Sequence, residues 1–479
     1  MKKLLLASVA GFTLVATPVN AQSMDEAKQL MDVWLAAQTD YNDWPSIAVS
    51  FVSGQEKVYA NAFGLANRGD DLKATPDTLY SICSISKLFT SIAMMQQRDA
   101  GRVALRDPVS KHLDWYNVEQ KYPLSDEVTI EGILSHSSGL PREVDTPYWS
   151  ASEGFPFPKR DDAKTITQSQ ETLYRAWEHF QYSNLGLTLA GEIVAKASGQ
   201  DYHSYVRANV LDPLGMNNTY SEMPKAKHGN ELAIGYGAIP RKGERAVVPF
   251  YTANAIAPAA GYASSANDLA TFAMWQLKLR EGEGDNVLNH NTLREMQRPN
   301  SVVMGWRGAF GIGFSLRNVK GNTLIGHGGS CPGYRTQIWI DPAKKIGGAA
   351  LVNAGGVNPG QIIERMMAVF GPAIKNAKKD KGEDEKASTV NLADYQGTYD
   401  NQPWGDEGYF MPWGGKLVNF SLRSNNPIEA MTKFEHIEGD VFARLRDDGT
   451  TAETVTFFRD EDGKVTKYKI HGTMTPKKN

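Results

Sequence analysis

The chain has 479 residues, 41% hydrophobic and 22% charged, which is longer than one average domain and able to bury a core. Lys and Arg (51) nearly balance Asp and Glu (54), so the net charge of −3 leaves no electrostatic footprint for nucleic acid. No apolar run reaches the ~18 residues of a membrane span, and two cysteines, Cys83 and Cys331, cannot build a cysteine-rich zinc site or a disulfide-dense scaffold.

Lys2 and Lys3 precede an apolar stretch, Leu4–Ala16, and Val19-Asn20-Ala21 supplies small residues. Charged, apolar, then small is the pattern of a secretory signal peptide over residues 1–21, cut after Ala21. No cysteine stands near the cut to carry a lipid anchor. The expected compartment is the periplasm or the medium, where disulfides persist.

A large domain is expected over residues 24–372, mixing helix and strand patterns. Ile85, Leu88, Phe89, Ile92 and Ala93 fall on one face of a helix from Ser84 to Ala100, with Gly101 ending it. A second helix is expected over Leu185–Ala197, stopped by Ser198-Gly199. Leu324–His327, Arg335–Ile340 and Gly348–Asn353 read as strands, the last two joined by a turn at Asp341-Pro342. Helices with an antiparallel sheet make this an α+β domain. Residues 373–389 contain the run KNAKKDKGEDEK, which has no large apolar side chain to bury and reads as a charged linker. From 390 to 479 the character changes. Lys416–Leu422, Glu435–Leu445 and Glu453–His471 alternate as strands do, with turn signals at Gly439-Asp440 and Asp462-Gly463, so the tail reads as a small antiparallel β domain, barrel-like in type.

The chain lacks G-x-S-x-G, H-E-x-x-H and the glycine-rich nucleotide loops, and its nine histidines have no metal-ligand spacing. No metal or cofactor is expected. Ser84-Ile85-Ser86-Lys87 is the one S-x-x-K in the sequence. On a helix, positions i and i+3 share a face, so the Lys87 amine can lie beside the Ser84 hydroxyl and take its proton. The helix N-terminus adds N–H groups and positive potential where an oxyanion would form. A capped helix with a solvated lysine would give the same four letters, but the apolar residues around Lys87 argue against full exposure. Y-x-N occurs at Tyr59–Asn61, Tyr182–Asn184 and Tyr399–Asn401; Tyr182-Ser183-Asn184 alone lies downstream of Ser84 in the same domain and just before an amphipathic helix. Gly326-His327-Gly328-Gly329-Ser330 ends a strand with glycines that admit close backbone approach.

In this order, Ser84/Lys87, Tyr182/Asn184 and His327/Gly329 resemble the three motifs of the penicillin-recognising serine hydrolases: class C β-lactamases, DD-peptidases and their esterase and D-aminopeptidase relatives. Ile133–Pro141, Leu211–Thr219 and Ala257–Phe272 resemble further segments of that family, and the tail resembles, more loosely, its appended lipocalin-like β domain. The resemblance implies a β-lactamase-like fold, an antiparallel sheet flanked by helices with a helical subdomain. It implies Ser84 as the acylated nucleophile, Lys87 as its proton partner, and Tyr182 as the relay to the leaving group and the deacylating water. Asn184, His327 and Gly329 would contact the substrate, and the N–H groups of Ser84 and Ser330 would form the oxyanion hole. Lactamases and DD-peptidases carry lysine where this chain has His327, as esterase and aminopeptidase relatives do. A neutral imidazole binds a substrate carboxylate less well than lysine does. Three functions stay open: a hydrolase of esters, amides or small peptides, a true β-lactamase or DD-carboxypeptidase, and a non-catalytic binder of peptidoglycan or β-lactams. The substrate would be a small molecule or peptide, cell-wall derived in the second case. By a further resemblance, to class A carbapenemases, Cys83 and Cys331 would form a disulfide behind the site.

Overall fold

The computed structural model describes residues 22–282, 287–303, 305, 307–377 and 390–478. The proposed signal segment, 1–21, lies outside the described residues, as does the charged run from 378 to 389. One compact unit spans Lys28–Gly371, and a second runs from Pro372 onward and takes in the stretch ahead of Lys28.

The larger unit is built on a nine-stranded sheet. Its strands are β1 (Ser46–Ser53), β2 (Glu56–Asn67), β3 (Leu72–Lys73), β4 (Ser301–Val302), β5 (Ala309–Phe310), β6 (Ser315–Val319), β7 (Asn322–Cys331), β8 (Tyr334–Asp341) and β9 (Ile346–Val352). They lie in the order β3-β2-β1-β9-β8-β7-β6-β5-β4, with every neighbouring pair antiparallel. The central strands are buried on both faces: all seven residues of β9 are buried, as are the first seven of β1. This is why they read as continuous apolar runs, a pattern that requires cover on each side of the sheet. Phe370 of the long helix Pro359–Ala377 stacks on Phe51 at 5.1 Å between ring centroids, part of that cover.

Helices fill the rest. The first, α1, covers Met24–Tyr41; α2 covers Ser86–Asp99, and α3 (Ile130–Ser135), α4 (Asn184–Ser198) and α5 (Ala266–Arg280) follow. The expected helix over Ser84–Ala100 begins two residues later: Cys83–Ile85 forms a 3₁₀ turn, and α2 starts at Ser86. Gly101, at φ +71°, ends it as expected. The expected single apolar face proves too narrow. Ser86, Lys87, Thr90 and Ser91 are as fully buried as Leu88 and Phe89, so α2 is a central helix wrapped on all sides. Several of its buried polar groups are met internally, as where Thr90 Oγ1 donates to the Pro258 carbonyl at 2.6 Å. The second expected helix is α4, capped by the Ser183 hydroxyl, which accepts the Gly186 N–H at 2.9 Å, and closed by Gly199 at φ +69°.

Residues 373–377 correct the expected linker. They complete the helix Pro359–Ala377, whose apolar face carries it past the point where the charged letters begin. Beyond residue 390 the second unit is an eight-stranded antiparallel sheet in sequential order, from Gly397–Tyr399 to Thr473–Pro476. A bridge between Tyr399 and Lys477 nearly closes it into a barrel. Glu435–Leu445 resolves into two strands about Gly439-Asp440, and Glu453–His471 into two about Asp462-Gly463. The interior is packed with aromatic rings: Tyr395, Tyr399, Phe410, Phe434, Phe442, Phe457 and Tyr468. No described helix is long and apolar enough to cross a membrane.

Candidate active site

Ser84 stands in the 3₁₀ turn between a short strand and α2, and three elements hold that turn. The Ser86 hydroxyl donates to the Cys83 carbonyl (2.5 Å) and accepts the Tyr262 N–H (3.0 Å). Thr336 Oγ1 of β8 donates to the Ile82 carbonyl at 3.1 Å. Cys83 is bonded to Cys331, with Cα atoms 5.7 Å apart. Cys83 also adopts φ +49°, a region costly for a residue with a Cβ and found where surrounding contacts over-determine it. A disulfide and two flanking hydrogen bonds supply those contacts.

Gly329 explains how β7 comes so close. A Cβ there would fall 2.3 Å from the Ile82 carbonyl oxygen and 2.1 Å from Thr336 Oγ1, so no larger residue fits the approach. Ser330 and Cys331 therefore follow Gly329 alongside the Ser84 turn.

Lys87 is fully buried, and among the described residues its amine has three hydrogen-bond neighbours. Its Nζ lies 2.7 Å from Asn184 Oδ1, 2.8 Å from the Ala259 carbonyl oxygen and 3.3 Å from Ser84 Oγ. The first two can only accept. A neutral amine that donates to both directs its lone pair at the Ser84 hydroxyl, the one of the three with a proton to give. Burial pushes the lysine well below its ordinary range; Glu143 opposes that push and Arg142 adds to it.

Tyr182 places its ring 4.8 Å from Lys87 Nζ and 4.8 Å from the Arg142 guanidinium, and 4.2 Å from the His136 ring. Burial holds its phenol protonated, well above the ordinary range, while a hydrogen bond with the Ser84 side chain works the other way. His327 lies on β7, opposite Ile338 of β8. Its Nδ1 is 2.7 Å from the Gly328 carbonyl; that oxygen can only accept, so the proton is on Nδ1 and Nε2 is bare. Burial and the nearby Lys87 push the imidazole down to about 3. Among the described residues that buried Nε2 has no hydrogen-bond partner. Phe310 closes this side, 5.8 Å from the His327 ring and 6.2 Å from the Tyr182 ring.

The residues Ser84, Lys87, Tyr182, Asn184, His327 and Gly329 thus converge from three segments. The remaining Y-x-N matches are elsewhere: Tyr59 and Asn61 both bond Asp32 at 2.7 Å, and Tyr399 lies in the barrel interior. Asn184 is held from both sides. Both ends of its side chain are taken, Oδ1 by Lys87 and Nδ2 by the two Glu143 oxygens at 2.8 and 2.9 Å. A carboxylate must face the NH₂ end, which fixes the amide's orientation. With Oδ1 on Nζ, the side chain holds the lysine. Sequence reasoning missed Glu143 together with Arg142, Tyr148 and the Ala259 carbonyl. Their one signal was position, since Arg142-Glu143 directly follows the Ile133–Pro141 segment. Arg335 donates to the Cys331 and Tyr334 carbonyls at 2.9 and 2.8 Å, bracing the β7–β8 turn. Among the described residues no cluster of His, Cys, Asp and Glu could hold a metal ion.

A serine in a rigid turn, a buried amine beside it and a protonated phenol close to both thus lie together at the start of a helix, on a sheet flanked by helices. The chain belongs to the Beta-lactamase family, whose model matches residues 31–367. It is 29% identical to "Beta-lactamase-like protein 2" of Dictyostelium discoideum over 68% of this chain and 59% of that protein. The chain spans 59% to 66% of the length of the curated relatives it matches first. Among solved structures it is similar to the octameric penicillin-binding protein homologue from Pyrococcus abyssi, with a TM-score of 0.64 and 25% identity, covering 93% of this chain and 99% of that one. It also shares its fold with a D-stereospecific amidohydrolase from Streptomyces sp., at a TM-score of 0.59 and 21% identity over 72% of this chain and 98% of the other.

Proposed function

We propose that the chain is an exported serine hydrolase that cleaves an ester, amide or small peptide through an acyl-serine intermediate. The observation that carries this reading is the Lys87 amine, whose two carbonyl neighbours leave only the Ser84 hydroxyl in line with its lone pair. In acylation the Ser84 O–H proton passes to Lys87 as Oγ bonds to the substrate carbonyl carbon. The oxyanion is received by the N–H groups of Ser84 and Ser330. As the bond from the carbonyl carbon to the leaving group breaks, Tyr182 delivers its proton to that group and the proton held by Lys87 makes good the phenol's loss; the same groups run in reverse activate water, which displaces Ser84 Oγ in deacylation.

Substrate preference follows from His327. An imidazole held neutral down to about pH 3 offers no cation to a carboxylate, which favours neutral esters and amides over penicillins and C-terminal peptides. The resemblance to an amidohydrolase is consistent with that class. A β-lactamase or DD-peptidase is the second reading, supported by the family as a whole. A non-catalytic binder gains nothing from desolvating Lys87, which is costly. On the same reading residues 1–21 are a cleaved signal peptide, the hydrolase domain covers 24–372 and the β domain 390–479. The disulfide and the absence of a membrane-crossing helix among the described residues are compatible with export.

The test is a substrate panel of nitrocefin, p-nitrophenyl esters and D-amino-acid peptides, run on the wild type and on Ser84→Ala. Turnover of the neutral esters or amides that vanishes in the variant is the expected result. Activity that survives Ser84→Ala would remove the acyl-serine reading, and nitrocefin as the best substrate would favour the second.

A further inference from the structure

We propose that Glu143 is the positioning residue of this site: its carboxylate fixes the Asn184 amide, so that Lys87 is aimed at Ser84, and supplies the counter-charge for the lysine. The inference rests on the acyl-serine reading above and assigns a role to a residue outside its three motifs.

The contacts form one line. Tyr148, fully buried, donates its hydroxyl to Glu143 Oε2, and Arg142 Nε lies 3.1 Å from Oε1. Both carboxylate oxygens accept from Asn184 Nδ2, and Asn184 Oδ1 accepts from Lys87 Nζ at 2.7 Å. The Glu143 side chain is three-quarters buried, at 25% exposure, against 59% for Arg142. Its backbone is tied as well, since the Gln170 amide donates to the Glu143 carbonyl at 3.0 Å. An acid serving only to anchor a loop has no need to face an amide whose other end holds the nucleophile's base.

The charges around Lys87 make the same point. The titratable groups facing it are Tyr182, His136, His327, Arg142 and Glu143. Tyr182 is held protonated, and both imidazoles are held neutral by burial. That leaves Arg142 and Glu143 as the formal charges, opposed in sign, and the less exposed of them is the acid. When Lys87 takes the Ser84 proton it becomes an ammonium in a buried site. Glu143 is the anion that stabilises it, relayed through the Asn184 amide dipole.

The experiment measures the pH dependence of kcat/KM with a p-nitrophenyl ester for the wild type, Glu143→Gln, Glu143→Asp and Arg142→Gln. The acid limb reports the loss of the neutral base. Glu143→Gln keeps shape and removes charge, so its limb moves to lower pH by about one unit, the size expected of one charge two hydrogen bonds away. Its plateau rate falls about tenfold or more, because a weaker base receives the proton. Glu143→Asp keeps the charge and returns the limb to its wild-type place, and Arg142→Gln moves it upward. A limb that stays put in Glu143→Gln overturns the proposal even if the rate falls, since a purely structural residue changes the amount of active enzyme and not its titration. Should that variant not fold, an unmoved limb in Arg142→Gln, altered on a largely exposed side chain, overturns it instead. Ser84→Ala runs beside them: if it stays active, the acyl-serine reading fails, and if it is inactive while the limbs do not move, only the role of Glu143 does.

Discussion

Replacing Gly329 with alanine adds one methyl group at the point where β7 meets the Ser84 turn. That methyl would sit 2.3 Å from the Ile82 carbonyl oxygen and 2.1 Å from Thr336 Oγ1. The first obstacle is backbone and cannot rotate away, so strand and turn must part by about 1 Å to reach ordinary contact. Overpacking of this kind costs about 1–3 kcal/mol of stability. The bond from Cys331 to Cys83 begins two residues further on and resists the parting, so the displacement is passed to Cys83 and Ser84. A 1 Å misplacement of reacting groups costs ~10²-fold, and a lost oxyanion donor ~10²- to 10³-fold. Gly329→Ala should therefore lower kcat by about 10²-fold or more, with a lower denaturation midpoint. Gly328→Ala is the control one residue away. Its methyl would meet Gln337 Oε1 at 2.7 Å, the tip of a flexible side chain held by one bond from Nε2 to the Ile338 carbonyl at 3.1 Å, and the rate should hold to within about twofold. Steady-state ester hydrolysis and denaturant melts of both variants decide the matter. Gly329→Ala at the wild-type rate, or both variants equally impaired, would refute the close-approach argument.

Three further outcomes are expected. Lys87→Ala and Tyr182→Phe should each lower kcat by ~10²- to 10⁴-fold while melting like the wild type; losses under tenfold in both would point to another proton carrier. Acid should destabilise the fold through its imidazoles: His327 is pushed down to about 3 and His136 well below its ordinary range, while unfolded histidine binds a proton near 6.5. The unfolded chain then holds more protons, so stability is full above about pH 6.5 and falls as pH drops toward about 3; denaturant midpoints against pH should show a shallower fall in His327→Gln. Replacing both Cys83 and Cys331 with serine opens a loop of 248 residues' separation and should cost up to ~5 kcal/mol, read from denaturant unfolding; an unchanged midpoint would show that the bond constrains little.

The parts of the site that rest on local periodicity were legible in the sequence. Ser84 and Lys87 stand three residues apart at a helix start, Tyr182 and Asn184 just ahead of a second helix, and His327 to Gly329 on a strand whose neighbours were expected in nearly their observed places. What escaped is held by tertiary contact. Glu143 lies in an irregular loop, where no period announces which way a side chain turns, and Ala259 contributes a carbonyl that every residue possesses. Asn184 was recognised, but its partners were not, and it is the partners that decide whether its amide meets a substrate or a lysine. The helix start slipped by two residues because Ser86 spends its hydroxyl on the Cys83 carbonyl, which tightens the first turn into a 3₁₀ form. The expected linker starts too early, at 373, for the opposite reason: the apolar face of the helix Pro359–Ala377 outlasts the onset of charge in the letters.

The Cys83–Cys331 bond has a topological consequence. It closes the chain from Cys83 to Cys331 into a covalent ring that contains Lys87, Glu143, Tyr182, Asn184 and His327 together with the nucleophile. One proteolytic cut anywhere between Ser84 and Ser330 opens the ring without releasing a fragment. Nicked protein would run as a single band without reductant and as two with it. Because the bond joins the nucleophile's turn directly to the strand beside it, such a cut leaves those two segments fastened to each other whichever peptide bond is lost.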